Sequence, residues 1–123
     1  MLDYKPAVVV YGLGYVGVVT ALSLLKRGFN VYGYDADATK LRLWRVGQLP
    51  YPDVDLMGAY VECGHRLKGL ESLDPQRSTT GVIWCVCVGT PSANDGSVDL
   101  QQLSTALLEV TMRLQGMDGP QLI

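Results

Sequence analysis

The chain has 123 residues, a length that suits one folded domain, and we expect residues 1–123 to form a single domain. Apolar residues make up 48% and charged residues 18%, as in ordinary globular proteins, and the net charge of −2 excludes a basic surface for nucleic acid or an anionic membrane. The apolar runs are too short to span a bilayer, and Met1–Lys5 lacks the pattern of a signal peptide. The odd number of cysteines, three, favours a reducing compartment, the cytoplasm.

The first half of the chain alternates strand and helix patterns. The β-branched run Pro6–Tyr11 predicts a strand that is buried on both faces, and glycines follow it directly. Apolar residues at helical spacing predict a helix over Tyr15–Arg27, which Gly28 ends. A second strand, Asn30–Tyr34, stops at an acidic residue and precedes a helix over Ala38–Val46. This half therefore predicts two successive strand–helix units.

The second half continues the alternation after a proline-containing loop at 48–55. The patterns predict a short helix over Val54–Cys63 and a third strand over Arg66–Ser72. They then predict a strongly apolar strand over Gly81–Val88, a long helix over Leu100–Leu114 and the start of a fifth strand at Leu122–Ile123. The order predicts the α/β class, as a Rossmann-type doubly wound parallel sheet with right-handed crossovers. Because the chain stops as its fifth strand begins, we expect the sheet to be truncated there.

A glycine-rich turn joins the first strand to the first helix. Residues 12–17 match the pattern G-x-G-x-x-G of loops that bind a dinucleotide pyrophosphate. Gly12 permits the tight turn, Gly14 lets the backbone approach the phosphates, and Gly17 lets the helix pack closely on the strand. The free N–H groups and positive dipole end of the helix favour an anion there. The pattern alone also fits a plain strand–turn–helix corner, but its context favours the dinucleotide site.

Asp35 supplies the acid that such a site requires. It lies at the tip of the second strand, where its carboxylate can accept hydrogen bonds from an adenosine ribose. The same charge would repel the additional phosphate of NADP, so the predicted cofactor is NAD. The alternative role for Asp35 is a solvated cap at the start of the second helix.

A second block of residues carries a family resemblance. Cys87–Ser92 reads C-V-G-T-P-S and Asp95–Leu100 reads D-G-S-V-D-L, with weaker signals at Arg66–Leu67 and Asp74–Pro75. Together with the glycine loop and Asp35, these blocks resemble the UDP-glucose/GDP-mannose dehydrogenase family. The resemblance covers about residues 7–123 but only the first part of a family member.

The resemblance implies the oxidation, in two hydride transfers to NAD, of the sugar 6-hydroxymethyl group of a nucleotide sugar to a carboxylate, a reaction of polysaccharide biosynthesis. It also implies that Tyr15 and Val16 offer backbone N–H groups to the pyrophosphate and that Lys40 reaches the adenosine. Thr90 and Pro91 would line the cofactor at the end of the fourth strand. The predicted cofactor-binding residues are Gly12, Gly14, Tyr15, Val16, Gly17, Asp35, Lys40, Thr90 and Pro91.

The catalytic part of the family pattern is missing from this sequence. The resemblance implies a cysteine thiolate, with lysine and asparagine helpers, in later segments that no residue here matches. We therefore predict no catalytic residue and an inactive isolated chain. Cys85 and Cys87 lie two apart in an apolar run, which favours core packing, and they lack a partner pair for a metal. Cys63 is also expected to be structural, and His65 is expected in a surface loop.

Other charged and loop residues are less informative. Arg42 and Arg45 lie on the second predicted helix, where a solvated face is favoured over a role at the adenosine. The segment Tyr51–Asp53 departs from the Glu-Pro-Gly-Leu usual at this loop in the family, which puts a role of this loop in substrate positioning in doubt.

The sequence is consistent with three functional hypotheses. The favoured one is the cofactor half of a nucleotide-sugar dehydrogenase, which would need its missing C-terminal part to bind the sugar. The alternatives are a non-catalytic NAD-binding module or degenerate paralogue, and a different Rossmann dehydrogenase, which would lack the second block. UDP-glucose, UDP-N-acetylmannosamine and GDP-mannose remain open as substrates, with a slight preference for the UDP-glucose or GDP-mannose type. The open edge of a truncated sheet leads us to expect a homo-oligomer.

Overall fold

Five parallel strands form one sheet in the computed structural model, which describes residues 6–73, 81–117 and 121–123. The strands β1 to β5 are Ala7–Tyr11, Val31–Tyr34, Lys68–Gly69, Val82–Val86 and Gln121–Leu122. The helices α1 to α4 are Tyr15–Lys26, Thr39–Arg45, Val54–Cys63 and Gln101–Leu114. The order across the sheet is β3-β2-β1-β4-β5, which confirms the Rossmann-type α/β prediction.

Each face of the sheet carries its own apolar core. On one face, Val10 and Val31 pack with buried residues of α1 such as Leu22 and with Trp44 of α2. On the other face, the cluster contains residues of β1, β4 and α4: Val9, Tyr11, Val82, Trp84, Ala106 and Val110, together with Leu70. Burial on both sides is the reason why β1 and β4 are continuously apolar rather than alternating.

The register of the three central strands brings their carboxyl ends to one level. Tyr11 is aligned with Tyr34 in β2 and with Val86 in β4. The residues that directly follow these strands, Gly12 and Asp35 among them, therefore meet at one edge of the sheet. Ligands of open parallel sheets bind in this region.

The third strand is much shorter than predicted. Arg66–Ser72 was expected to be a strand, but only Lys68 and Gly69 pair, with β2, between two 3₁₀ turns at Gly64–Arg66 and Leu70–Ser72. The guanidinium of Arg66 donates to the Leu25 carbonyl at 2.7 Å, which holds the chain near the end of α1 before the strand begins. Leu70 then turns into the core on the α4 side. Apolar residues of Arg66–Ser72 such as Leu70 are therefore buried in a turn and not in a strand.

The remaining boundaries agree with the predictions to within two residues, and the helix predicted over Val54–Cys63 has the predicted bounds. Gly28 ends α1 with a φ of 86°, as expected for a residue that closes a helix in the left-handed region. In the loop after α2, Leu49 is buried, and Asp53 caps α3 by accepting a hydrogen bond from Leu56 N–H at 2.7 Å. Among the helices of the described ranges, none has the length and apolar character needed to cross a bilayer.

Some predictions fall on residues outside the described ranges. The N-terminal segment Met1–Lys5 and the Asp74–Pro75 pair are among them. The predicted start of the last strand is present as Gln121–Leu122, which pairs with β4 through Val82 and Ile83.

Candidate functional site

A cleft of about 560 Å³ opens at the carboxyl ends of the central strands. The glycine loop and the residues after β2 form one side, the end of β4 forms another, and one face of α4 closes it. The described residues that line it are Tyr11, Gly12, Gly14, Asp35, Ala36, Lys40, Cys87, Val88, Gly89, Asp99, Gln101, Gln102, Thr105, Ala106 and Glu109. Its position is the one that open α/β sheets use for dinucleotides.

Two glycines of the loop are required by close backbone contacts. Gly12 has a φ of 111°, and a Cβ on it would lie 2.6 Å from the Cys87 carbonyl oxygen. A Cβ on Gly17 would lie 1.7 Å from the Gly12 carbonyl oxygen. The first helix therefore crosses the loop at a distance that only glycine permits, as predicted from the spacing.

Gly14 has a different environment. A Cβ on this residue would meet no atom of the described part of the chain within 4 Å, so the folded chain itself does not require glycine here. Gly14 stands at the N-cap of α1, whose first turn carries no acidic residue, and the described residues provide no side-chain cap. The helical hydrogen bonds begin with Val18 N–H, which donates to the Gly14 carbonyl. The N–H groups of Tyr15 and Val16 precede this first helical donor and point out of the start of the helix. Open space, free donors and a positive dipole end therefore coincide.

Asp35 is held at the cleft by two backbone donors. Leu13 N–H donates to Oδ2 at 2.7 Å, and Asp37 N–H donates to Oδ1 at 2.8 Å. The first bond joins the glycine loop directly to the end of β2. Next to the start of α2, it is Asp37 whose Oδ1 accepts from both the backbone N–H and the hydroxyl of Thr39. These bonds lower the pKa of Asp37.

Among the predicted basic residues, Lys40 lines the cleft beside Asp35. Arg42 and Arg45 are exposed and are absent from the described lining of the cleft. Arg45 lies 3.8 Å from Glu71 in a solvent-exposed ion pair. The solvated-face interpretation of the two arginines therefore agrees with their positions.

The second sequence block forms a turn that leads the chain back to α4. Ser92 and Val98 form an antiparallel bridge, and the Asp99 N–H donates to the Pro91 carbonyl at 2.7 Å. Thr90 and Pro91 are exposed and, within the described ranges, do not line the cleft; Val88 and Gly89 line it instead. Contact between the cofactor and Thr90 or Pro91 stays a prediction.

Two groups of cleft and loop residues were missed from the sequence. Tyr11, at the end of β1, donates its hydroxyl to Glu109 of α4, and both line the cleft. The signal for Glu109 is its helical spacing with Gln102 and Thr105, which places polar residues on one face of α4. The exposed ring of Tyr15 makes an edge-to-face contact with Tyr51, at a centroid distance of 5.9 Å, which joins the proline-containing loop to the start of α1.

The three cysteines are unpaired and pack against apolar residues. Cys63 is buried and donates to the Ala59 carbonyl at 3.2 Å, while Cys85 and Cys87 are partly buried beside the α1 face. His65 is exposed in a 3₁₀ turn. Within the described ranges, no three His, Cys, Asp or Glu side chains come together as a metal site would require.

Burial also predicts the reactivity of two thiols. It raises the pKa of both Cys85 and Cys87, which lowers the fraction of the reactive thiolate at a given pH. We expect iodoacetamide at pH 8 to alkylate either residue at least about tenfold more slowly than free cysteine, as measured by peptide mass spectrometry. The chain unfolded in guanidinium chloride is the control, in which both should react at the ordinary rate. Native alkylation as fast as in that control would contradict the expectation.

Comparison with known proteins gives a consistent family. Residues 6–119 match the profile of the UDP-glucose/GDP-mannose dehydrogenase family, NAD binding domain. GDP-mannose 6-dehydrogenase of Pseudomonas aeruginosa is 36% identical over 104 residues, which cover 82% of this chain and 23% of that protein. UDP-glucose 6-dehydrogenase of Rhizobium meliloti is 32% identical over 108 residues, covering 85% of this chain and 24% of that protein.

Solved structures agree with the sequence matches. A ternary complex of GDP-mannose dehydrogenase from Pseudomonas aeruginosa superimposes with a TM-score of 0.65 at 32% identity, covering 86% of this chain and 24% of that one. The UDP-D-ManNAc dehydrogenase of Pyrococcus horikoshii gives a TM-score of 0.70 at 28% identity, covering 86% of this chain and 25% of that one. The chain thus spans about a quarter of the length of these relatives. Since the profile match extends over nearly the whole chain, the chain belongs to the UDP-glucose/GDP-mannose dehydrogenase family and carries its NAD-binding domain.

Proposed function

We propose that the cleft binds NAD, with its pyrophosphate at Gly14 and the start of α1 and its adenosine ribose on Asp35. The observation that carries the proposal is the open space at Gly14, in the same cleft as the fixed Asp35 carboxylate. The packing of the described chain does not itself require a glycine at this position. The N–H groups of Tyr15 and Val16 would donate to the phosphates. Lys40, which lines the same cleft, would contact the adenosine end.

The wider proposal is that this chain is the cofactor-binding part of a dehydrogenase that oxidises a sugar 6-hydroxymethyl group to a carboxylate. Bound NAD would accept the hydride in each of two transfers. The names of the relatives, GDP-mannose 6-dehydrogenase and UDP-glucose 6-dehydrogenase, support a nucleotide sugar as the substrate. The chain's own residues contribute binding and orientation of the cofactor, and none is assigned a catalytic step.

We further propose a cytoplasmic site of action, in the synthesis of polysaccharide precursors. The observation in support is the presence of three unpaired thiols, which are typical of a reducing compartment. Homo-oligomer formation and the requirement for a further sugar-binding segment remain part of this proposal.

The direct test is a calorimetric titration of the chain with NAD and, in the same buffer, with NADP. We expect saturable NAD binding and at least about tenfold weaker NADP binding, because the 2′-phosphate would meet the Asp35 carboxylate. Asp35 cannot turn away without breaking its bonds to Leu13 and Asp37. Equal or tighter binding of NADP would contradict the placement of the ribose, and binding of neither nucleotide would refute the proposed function.

A further inference from the structure

The wall that α4 contributes to the cleft contains a carboxylate that the proposed pyrophosphate and ribose contacts do not use. Glu109 lies in the third turn of α4, lines the cleft, and accepts a hydrogen bond from the hydroxyl of Tyr11 through Oε2. Tyr11 is 1% exposed, so this bond fixes Glu109 on a rigid, buried support. Burial and the bond to Glu109 both raise the pKa of Tyr11, so its hydroxyl keeps its proton and remains a donor.

The neighbours of Tyr11 connect Glu109 to the predicted ribose site. The rings of Tyr11 and Tyr34 are in contact, with centroids 4.5 Å apart, and Tyr34 directly precedes Asp35. The guanidinium of Arg113, one turn after Glu109, lies over the other aromatic ring at 5.1 Å from the Tyr34 centroid. Asp35 and Glu109 line the same cleft, so a base attached to a ribose on Asp35 would have the α4 wall within the space that it shares.

The side chains on that wall differ in what they can discriminate. Gln101, Gln102 and Thr105 can each donate or accept, so they tolerate either an amine or a carbonyl on a base. An ionised carboxylate only accepts, and it has about four lone-pair positions, so Glu109 retains acceptor capacity beyond its bond to Tyr11. A carboxylate at this position favours a base that presents an N–H donor and disfavours one that presents a carbonyl oxygen.

We infer that Glu109 is a specificity-determining residue that selects a 6-aminopurine dinucleotide by accepting a hydrogen bond from the exocyclic amine. This inference rests on the proposed NAD site and adds a choice of base to it. The other carboxylate on α4's side of the cleft, Asp99, lies just before the start of α4, and its Oδ1 accepts from Gln101 N–H, whereas Glu109 lies about two turns further along the helix. Asp99 therefore provides a matched control within the same cleft.

The test compares NAD with nicotinamide hypoxanthine dinucleotide, in which a carbonyl replaces the 6-amino group and N1 carries a proton. A carboxylate that accepts from the 6-amino group of NAD would face the carbonyl oxygen of the analogue. We expect the chain to bind NAD at least about tenfold more tightly than the hypoxanthine analogue. In Glu109→Gln, whose amide can donate to the carbonyl, this preference should fall by about tenfold. Glu109→Ala should also lose it, with weaker NAD binding. Asp99→Asn, which keeps its helix-start bond, should retain the full preference.

The outcomes separate this inference from the proposal on which it rests. If NAD binds and requires Asp35 but Glu109→Gln keeps the original preference, the role of Glu109 is refuted and the NAD site stands. A loss of preference in Asp99→Asn but not in Glu109→Gln would refute it as well. If the unmodified chain binds neither dinucleotide, the NAD site and the selection of its base are both overturned. Circular dichroism of each variant shows whether a loss of binding reflects unfolding.

Discussion

Alanine at Gly17 is expected to destabilise the chain by more than about 3 kcal/mol, while alanine at Gly14 should leave the fold intact and remove most NAD binding. The two residues belong to one loop and carry the same substitution, but their surroundings are opposite. At Gly17 the new Cβ would lie 1.7 Å from the Gly12 carbonyl oxygen, a backbone atom that cannot move aside without moving the loop. At Gly14, apart from its two chain neighbours, no described residue would have an atom within 4 Å of the new Cβ.

The loss at Gly17 exceeds what helix propensity can return. Alanine gains only about 0.5–1 kcal/mol over glycine in a helix, whereas a domain of this size is stable by about 5–15 kcal/mol in total. The helix must move away from β1, which opens the core around Val10 and Val18. Urea unfolding followed by the fluorescence of the buried Trp44 and Trp84 measures the change. A midpoint unchanged from the original chain would show that α1 does not cross the loop as described.

The loss at Gly14 is one of binding. The backbone there has φ −78° and ψ −162°, which alanine adopts, so the expected stability cost is about 1 kcal/mol or less from the poorer N-cap. The methyl group would occupy the space proposed for the pyrophosphate, and we expect NAD affinity to fall at least about tenfold. Gly58→Ala is the matched control, since its Cβ also meets no described atom and Gly58 lies on α3, away from the cleft lining. Unchanged NAD binding in Gly14→Ala would place the pyrophosphate elsewhere.

The parts of the site that were predicted from sequence depend on local signals. The run into Tyr11, the glycines at their fixed spacing and Asp35 after a second apolar run each identify their own element. Parallel pairing then brings their ends together without further information, since Tyr11 and Tyr34 are aligned across the sheet. The fold class and the position of the cleft followed from the same alternation of elements.

The parts that were not predicted depend on contacts between distant residues. The bond from Leu13 to Asp35 joins positions 22 apart, and that from Tyr11 to Glu109 joins positions 98 apart. The helical spacing of Glu109 with Gln102 and Thr105 indicates a polar face of α4, but it does not show that this face lines a cleft rather than contacting solvent. The predicted length of the third strand was wrong for a related reason. The turns on both sides of β3 direct the chain away from β2, so only two residues pair with it.

The second sequence block contributes to the turn before α4 as well as to the lining of the cleft, which includes Val88, Gly89 and Asp99. Its middle residues form a turn closed by the Ser92–Val98 bridge, with Gly96 at a φ of 86°. Asp95 stabilises that turn by accepting from the N–H and hydroxyl of Ser97. This turn returns the chain to the start of α4, where Asp99 and Gln101 line the cleft.

Asp35→Asn is expected to lower NAD affinity by about ten- to a hundredfold, which corresponds to the loss of a hydrogen bond to a charged acceptor. The amide keeps one acceptor oxygen, so one of the two backbone bonds, from Leu13 or from Asp37, is lost at a cost of about 1–3 kcal/mol, which should leave the fold intact. It has lost the charge that favours the ribose hydroxyls and repels a 2′-phosphate. Calorimetric titration with NAD and NADP should therefore show the preference for NAD shrinking as well as the affinity falling.

Asp95→Asn is the control that separates charge at the site from charge anywhere on the surface. Asp95 is exposed and holds a local turn with the same kinds of bond that Asp35 makes, but among the described residues it is not part of the cleft lining. Its variant should bind both nucleotides as the original chain does. If Asp35→Asn kept the original NAD-to-NADP ratio, the ribose would not lie on this carboxylate, and the bond from Leu13 to Asp35 would be a support of the glycine loop alone.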